Sequence, residues 1–325
     1  MDWVKLGIKK SSLRLALALP VLGIISALAS LYLLDAYQYG DQAVYRRFYF
    51  SLPGASLSDI PLLQAGYTGS AEPLFGLTMW IGSNAGLSKD AYITFFNVVL
   101  FLSLVVYLRK NKASWLFIIL AITNYYFIVI LTGAERLKFS YLAVILGATL
   151  SGSLRWSFFV AAPFLHFQTI LLYGGLACGK IAHIRVTRRV RMKNIALFLA
   201  GVILVAGLVF GLARYSSSIT GKLEAYARDS LLIGELLKAL ALTVTALIVL
   251  PRKWEAGYVM AACLAVIAIV GPERANMIAV TAFLFLVVKH GKTRSPLVLA
   301  LMAYLSYKSI DFVETILLYG DGYAR

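Results

Sequence analysis

Residues 13–34 read LRLALALPVLGIISALASLYLL, twenty-two residues with a single charge at Arg14. A helix needs about 20 mostly apolar residues to cross the hydrocarbon core of a bilayer. Runs of the same kind follow at Ala91–Leu108, Ser114–Leu131, Phe139–Leu150, Trp156–Leu176, Ile195–Ala213, Leu232–Leu250, Gly257–Val270, Met277–Val288 and Leu297–Leu318, with a weaker one at Pro73–Leu87. The interruptions are short, and no repeat or low-complexity segment stands out. Of the 325 residues 60% are hydrophobic and only 14% charged, against roughly 25% charged in soluble domains. That leaves too little polar surface to coat a soluble globule, and excludes disorder, collagen-like repeats and a disulfide-rich secreted domain. The expected fold is an all-α polytopic membrane protein of about nine to eleven transmembrane helices, re-entrant segments among the alternatives, in one integral membrane domain over residues 1–325.

The net charge of +16 lies in short clusters between apolar spans, where topology signals sit, which argues against nucleic acid as a partner. The densest cluster, residues 180–193, is assigned to the cytoplasm by the positive-inside rule. Alternation then puts residues 214–231 outside, where their apolar spacing fits an amphipathic helix on the membrane surface. Ala27-Leu28-Ala29 resembles a cleavage site, but with many spans following an uncleaved signal-anchor is expected. Lys5, Lys9 and Lys10 put the N-terminus inside and residues 35–72 in an external loop. Two topologies then remain for the middle of the chain. If residues 73–87 and 156–176 both cross, Glu135 and Arg136 face the cytoplasm; if both are re-entrant, these residues face outside. The disputed cations, Arg109, Lys110, Lys112 and Arg155 against Lys89, Arg136 and Lys138, do not decide between them.

Ionisable groups in or flush with spans mark candidate sites. Glu72 precedes Pro73, the pattern of a helix N-terminus. Glu135-Arg136 and Glu273-Arg274 interrupt apolar runs, and His166 lies inside Phe164-Leu165-His166-Phe167-Gln168. Each has a structural reading as well: a helix cap for Glu72, an interfacial anchor for either arginine, a hydrogen-bonded core residue for His166. Glu135 and Glu273 are the obvious partners for the arginines beside them, yet immediate neighbours on a helix do not face one another. Loop 35–72 adds Asp41, Arg46 and Arg47, and the tyrosines 37, 39, 45, 49 and 67, which can stack on sugar rings or form an interfacial aromatic belt. Cys178 and Cys263 sit in apolar stretches, and no His/Cys spacing suggests a metal site.

The ordered set Asp41 and Tyr45, then Glu72-Pro73-Leu74-Phe75, then Arg136, then Phe164-Leu165-His166-Phe167 resembles the EpsG-type, Wzy-like polysaccharide polymerases of bacterial inner membranes. The resemblance covers residues 10–175. Leu137 stands where that family has glutamine, and Gln168 where it has serine. The resemblance implies a fold similar to membrane-embedded glycosyltransferases of the GT-C type. It further implies polymerisation of undecaprenyl-diphosphate-linked repeat units into O-antigen, capsule or exopolysaccharide at the periplasmic face. The enzyme would be metal-independent and inverting, with no cofactor. Its partners would be the membrane, a lipid-linked oligosaccharide donor and acceptor, and a chain-length regulator.

For such a reaction Arg136 and Arg274 are the first candidates to clamp the leaving diphosphate, with Arg46 and Arg47 behind them. Glu72, Asp41 and His166, in that order, are eligible as general base, and Tyr45 and Tyr49 as sugar contacts. Since these groups must reach one external cavity, the topology with Arg136 outside is preferred. The competing reading is a lipid-linked oligosaccharide flippase or other secondary transporter, although no internal symmetry of the transporter kind is visible. A membrane scaffold or an acyltransferase is a third.

Overall fold

A computed structural model describes residues 10–181, 231–270 and 272–323. Among these the chain is helical, without strands. Three helices are long and apolar enough to cross a membrane, at Leu17–Ala36, Lys89–Lys110 and Pro296–Tyr319, and a bent pair makes a fourth. The protein is thus a helical membrane protein with three to four candidate spans, by length and composition, among the described residues. The expected spans at 91–108, 232–250 and 297–318 each fall within one helix of nearly those bounds. Ile195–Ala213, the amphipathic arm 214–231 and most of the basic loop 180–193 lie outside the described residues.

The helices fall into two compact units, residues 1–167 with 302–325 and residues 168–301. In the first, α1 (Lys10–Ala36) and α5 (Lys89–Lys110) pack antiparallel. Gly23 faces Val98 and Leu102, while a turn or two later Ser30 bonds Thr94 at 3.2 Å and Asn97 at 2.6 Å. Between them come α2 (Gly40–Phe50), α3 (Ile60–Thr68) and α4 (Pro73–Asn84). The expected external loop 35–72 thus contains two helices. Arg46 on α2 donates to Leu34 O at 2.5 Å in the last turn of α1 and pairs with Asp90 in the first turn of α5 at 3.2 Å. Tyr49 donates to Leu87 O at 2.9 Å, and Ser83 on α4 donates to Tyr49 O at 2.8 Å.

These ties gather residues 37–88 into a helical cap over the end of α1 and the start of α5. Helix α4 has 12 residues, about 18 Å at 1.5 Å per residue, against a hydrocarbon core of about 30 Å. It is not among the helices long and apolar enough to cross a membrane. An aromatic cluster fills the cap: Phe75 is wholly buried against Phe48, Tyr45 and Phe139, with ring centroids 6.1, 6.0 and 5.8 Å away.

The apolar run 114–131 is broken. Helices α6 (Trp115–Thr123) and α7 (Tyr125–Thr132) meet at 52°. Asn124 is extended there, and its Oδ1 accepts from Phe127 N at 3.1 Å, capping α7. A side chain that satisfies the next helix's amide makes the break cheap. Helix α8 (Glu135–Thr149) starts four residues before the expected span and is buried over most of its length, packed against α5 and against α9 (Leu154–Leu165). Run 156–176 is broken too, by the extended His166 between α9 and α10 (Thr169–Ile181).

The second unit packs α10, α11 (Leu231–Val249), α12 (Lys253–Val270) and α13 (Pro272–Lys289) against one another. Glu255, buried at the start of α12, receives Lys289, His290 (3.2 Å) and Arg252 (3.9 Å). The last helix, α14 (Pro296–Tyr319), meets α6 and α7 in the first unit, where Ser306 donates to Leu120 O at 3.1 Å and Phe312 packs on Tyr125.

Candidate functional site

Three segments far apart in sequence bring their ionisable groups together. Glu72 ends the turn between α3 and α4, Arg136 lies in the first turn of α8, and His166 terminates α9. Pro73 at the first helical position sets where α4 begins and holds Glu72 extended. Gly76 lets α3 and α4 approach: a Cβ there would stand 2.6 Å from both Gln64 Oε1 and Ile60 Cγ2. This approach brings Gln64 to Glu72. Pro163 stands near the end of α9, and the chain turns extended at His166, with φ −159°, which aims the imidazole at Glu72.

The Glu72 carboxylate is the hub and is only 1% exposed. Its Oε1 accepts from His166 Nδ1 at 2.9 Å and Arg136 Nη1 at 3.3 Å. Its Oε2 accepts from Gln64 Nε2 at 2.8 Å, Ser70 Oγ at 2.5 Å and Arg136 Nη1 at 3.3 Å. Arg136 also donates to Ser70 and is hydrogen-bonded with Tyr45, while its Nε has no protein partner. Burial by itself pushes the Glu72 carboxyl up; the His166 hydrogen bond, the Arg136 charge and Ser70 outweigh it and hold it down at about 2.

A carboxylate with so low a pKa and every lone pair engaged is a poor proton acceptor. Glu72, the first choice for general base in the sequence, is thus the shared acceptor at the centre of the cluster, with His166 as one of its donors. With Nδ1 donating to Glu72, the lone pair of the neutral ring lies on Nε2.

The other candidates are distributed differently. Tyr45 joins the site through Arg136. Asp41 lies one turn before Tyr45 in the first turn of α2, where a carboxylate suits the helix dipole. Tyr49 is turned into the core: it is 2% exposed in the aromatic cluster and its hydroxyl donates to Leu87 O. Among the tyrosines of this region, Tyr39 and Tyr67 are the exposed ones. Arg46 is likewise spent, closing α1 by donating to Leu34 O and Tyr37 O. Arg47 is exposed and donates to Ala43 O in its own helix. The side chains of Glu273 and Arg274 lie outside the described residues.

A second buried polar network adjoins the first. Glu135 faces away from Arg136, as neighbours on a helix must, and accepts from Lys89 at 2.6 Å and Gln42 at 3.0 Å. Lys89 also donates to Gln42 Oε1 at 2.5 Å, and the fully buried Lys138 donates to Leu131 O at 2.9 Å. Sequence reasoning missed Gln42, Gln64, Ser70 and this role of Lys89. Ser88-Lys89-Asp90 reads as an ordinary solvated helix start, and Ser88 does cap α5 through Ala91 N; nothing local marks Lys89 as buried.

Comparison of the chain with family models, with curated proteins and with solved structures returns no match.

Proposed function

We propose that the protein is a membrane-embedded glycosyltransferase that polymerises undecaprenyl-diphosphate-linked repeat units into a surface polysaccharide at the outer face of a bacterial inner membrane. The observation that carries this reading is the convergence of Glu72, Arg136 and His166. They come from three segments that the family resemblance singles out, and they form one buried carboxylate–imidazole–guanidinium cluster.

The groups suit the chemistry. His166 Nε2 takes the proton of the acceptor sugar's hydroxyl as that oxygen bonds to the donor's anomeric carbon. The bond from that carbon to the lipid diphosphate breaks, and its electrons leave with the diphosphate. Arg136 stabilises the departing charge, with its unpartnered Nε as a donor ready for a phosphate oxygen. Glu72 acts through these two, fixing the imidazole's tautomer and the guanidinium's position. Tyr39 and Tyr67 take over from Tyr49 as sugar-stacking candidates.

The burial pattern supports an outward-facing site. The cations that count against it, Lys89, Arg136 and Lys138, are 2%, 7% and 0% exposed, and the first two are paired with Glu135 and Glu72. Arg109, Lys110, Lys112 and Arg155 lie at the far ends of α5 and α8, so the positive-inside rule favours the cytoplasm for that end. With α4 not crossing, the re-entrant alternative for residues 156–176 is the one that keeps Arg136 outside.

The test is deletion of the gene and complementation. Wild type restores a polysaccharide ladder, while His166→Ala and Arg136→Ala leave single repeat units on the cell surface. An unchanged ladder in the deletion strain rejects the polymerase reading. Loss of all surface sugar points instead to a flippase. Cytoplasmic labelling of a cysteine at position 136 rejects the arginine's proposed role.

A further inference from the structure

We propose that the end of the first unit opposite Glu72 is a binding surface for anionic phospholipid headgroups. It is formed by the 109–115 turn and the 150–156 turn, which Lys110 ties together by donating to Thr149 O at 2.6 Å. Each turn carries an arginine laid on a tryptophan: Arg109 is 4.8 Å from the Trp115 ring centroid, and Arg155 is 5.4 Å from that of Trp156. Both indoles are outward-facing, 44% and 63% exposed. Lys110 and Lys112 between them are exposed.

Charge complementarity names the partner. Between residues 91 and 223 the chain has a single acid, Glu135, and that group is buried and paired at the other end of α8. These four cations therefore have no carboxylate of their own segment to meet. A guanidinium whose face is covered by an indole keeps its edge for oxygen ligands, of which Arg109 spends one donor on Ala113 O at 3.0 Å. Tryptophan favours the headgroup layer, where its ring is half wet. A positive, acid-free surface framed by two such indoles fits phosphodiester groups that carry net negative charge. Zwitterionic headgroups offer the same phosphate with its charge cancelled. This inference is independent of the polymerase reading and concerns the opposite end of the unit.

The test uses the full-length purified protein in a neutral maltoside detergent, with its unfolding midpoint followed as phosphatidylglycerol or phosphatidylcholine is added. Phosphatidylglycerol is expected to raise the midpoint by about 3 °C or more, and phosphatidylcholine to leave it near the lipid-free value. The increment should fall away in 0.5 M salt, since exposed charges are then screened within a few ångströms. Arg109→Gln/Lys112→Gln/Arg155→Gln should abolish the increment. Should that variant fail to fold, Lys112→Gln alone, at an exposed turn residue, is expected to reduce it. Equal stabilisation by the two lipids overturns the proposal, as does an increment that survives high salt. An increment left intact in the triple variant, or in Lys112→Gln where that alone folds, also overturns it.

Discussion

Glu72→Gln keeps the size and most hydrogen-bonding capacity of the side chain but removes the one negative charge that faces Arg136 and His166. Two estimates of the cost agree. The fall of the carboxyl from 4.5 to about 2 corresponds to about 3 kcal/mol of preference for the charged form in the folded protein. Removing one partner of a buried ion pair typically costs about 3–5 kcal/mol, because the other charge is left buried and unmatched. The expected loss is therefore about 3–4 kcal/mol, a drop in unfolding midpoint of about 5 °C for a protein of this size. Thermal unfolding of the purified protein in detergent reads it directly. The partner variant Arg136→Met should cost a similar amount. The double variant should cost clearly less than the two together, with a coupling of about 2 kcal/mol, since neither charge then remains stranded. A Glu72→Gln protein that melts with wild type would refute the picture of a buried ionic hub, and strictly additive single variants would refute the pairing.

The same carboxylate sets an acid limit. Its folded pKa lies below its unfolded one, so its contribution is complete above about pH 4.5 and is lost as pH falls towards 2. Midpoints measured across that window should fall for wild type and stay flatter for Glu72→Gln. Gly76→Ala forces a methyl into Gln64 and Ile60 and should cost about 1–3 kcal/mol by overpacking, visible in the same melting assay; an unchanged midpoint would show that α3 yields freely. Lys89→Met strands Glu135 and should destabilise by about 3–5 kcal/mol. Adding Glu135→Met should recover much of that loss, and a double variant no more stable than the single one would count against the pair.

Several local features were legible because their causes are local. Pro73 after Glu72 announces the start of α4, and the apolar runs at 91–108 and 297–318 become α5 and α14. The rule that helix neighbours diverge already separated Glu135 from Arg136. Other features were out of reach. Asn124 divides an apolar run that reads as continuous, because one amide side chain caps the second half. The aromatic residues of loop 35–72 read equally as sugar platforms or as core, and burial makes Tyr45 and Tyr49 core residues. Glu72 read as a base because its chemistry allows it, whereas its basicity is set by neighbours that sequence order does not reveal.

Composition and hydropathy alone determined that this is a helical membrane protein, since a chain with so few charges cannot coat itself against water. They also marked Glu72, Arg136 and His166 as ionisable groups in costly places. Only the tertiary structure decided that the three meet, across 64 and 94 residues of chain, and that the 73–87 segment packs into a cap. The physical reason is one of range. Solvation and helix capping act on a residue and its near neighbours, so the chain carries them openly. The pairing of a buried charge depends on which distant segment is folded beside it.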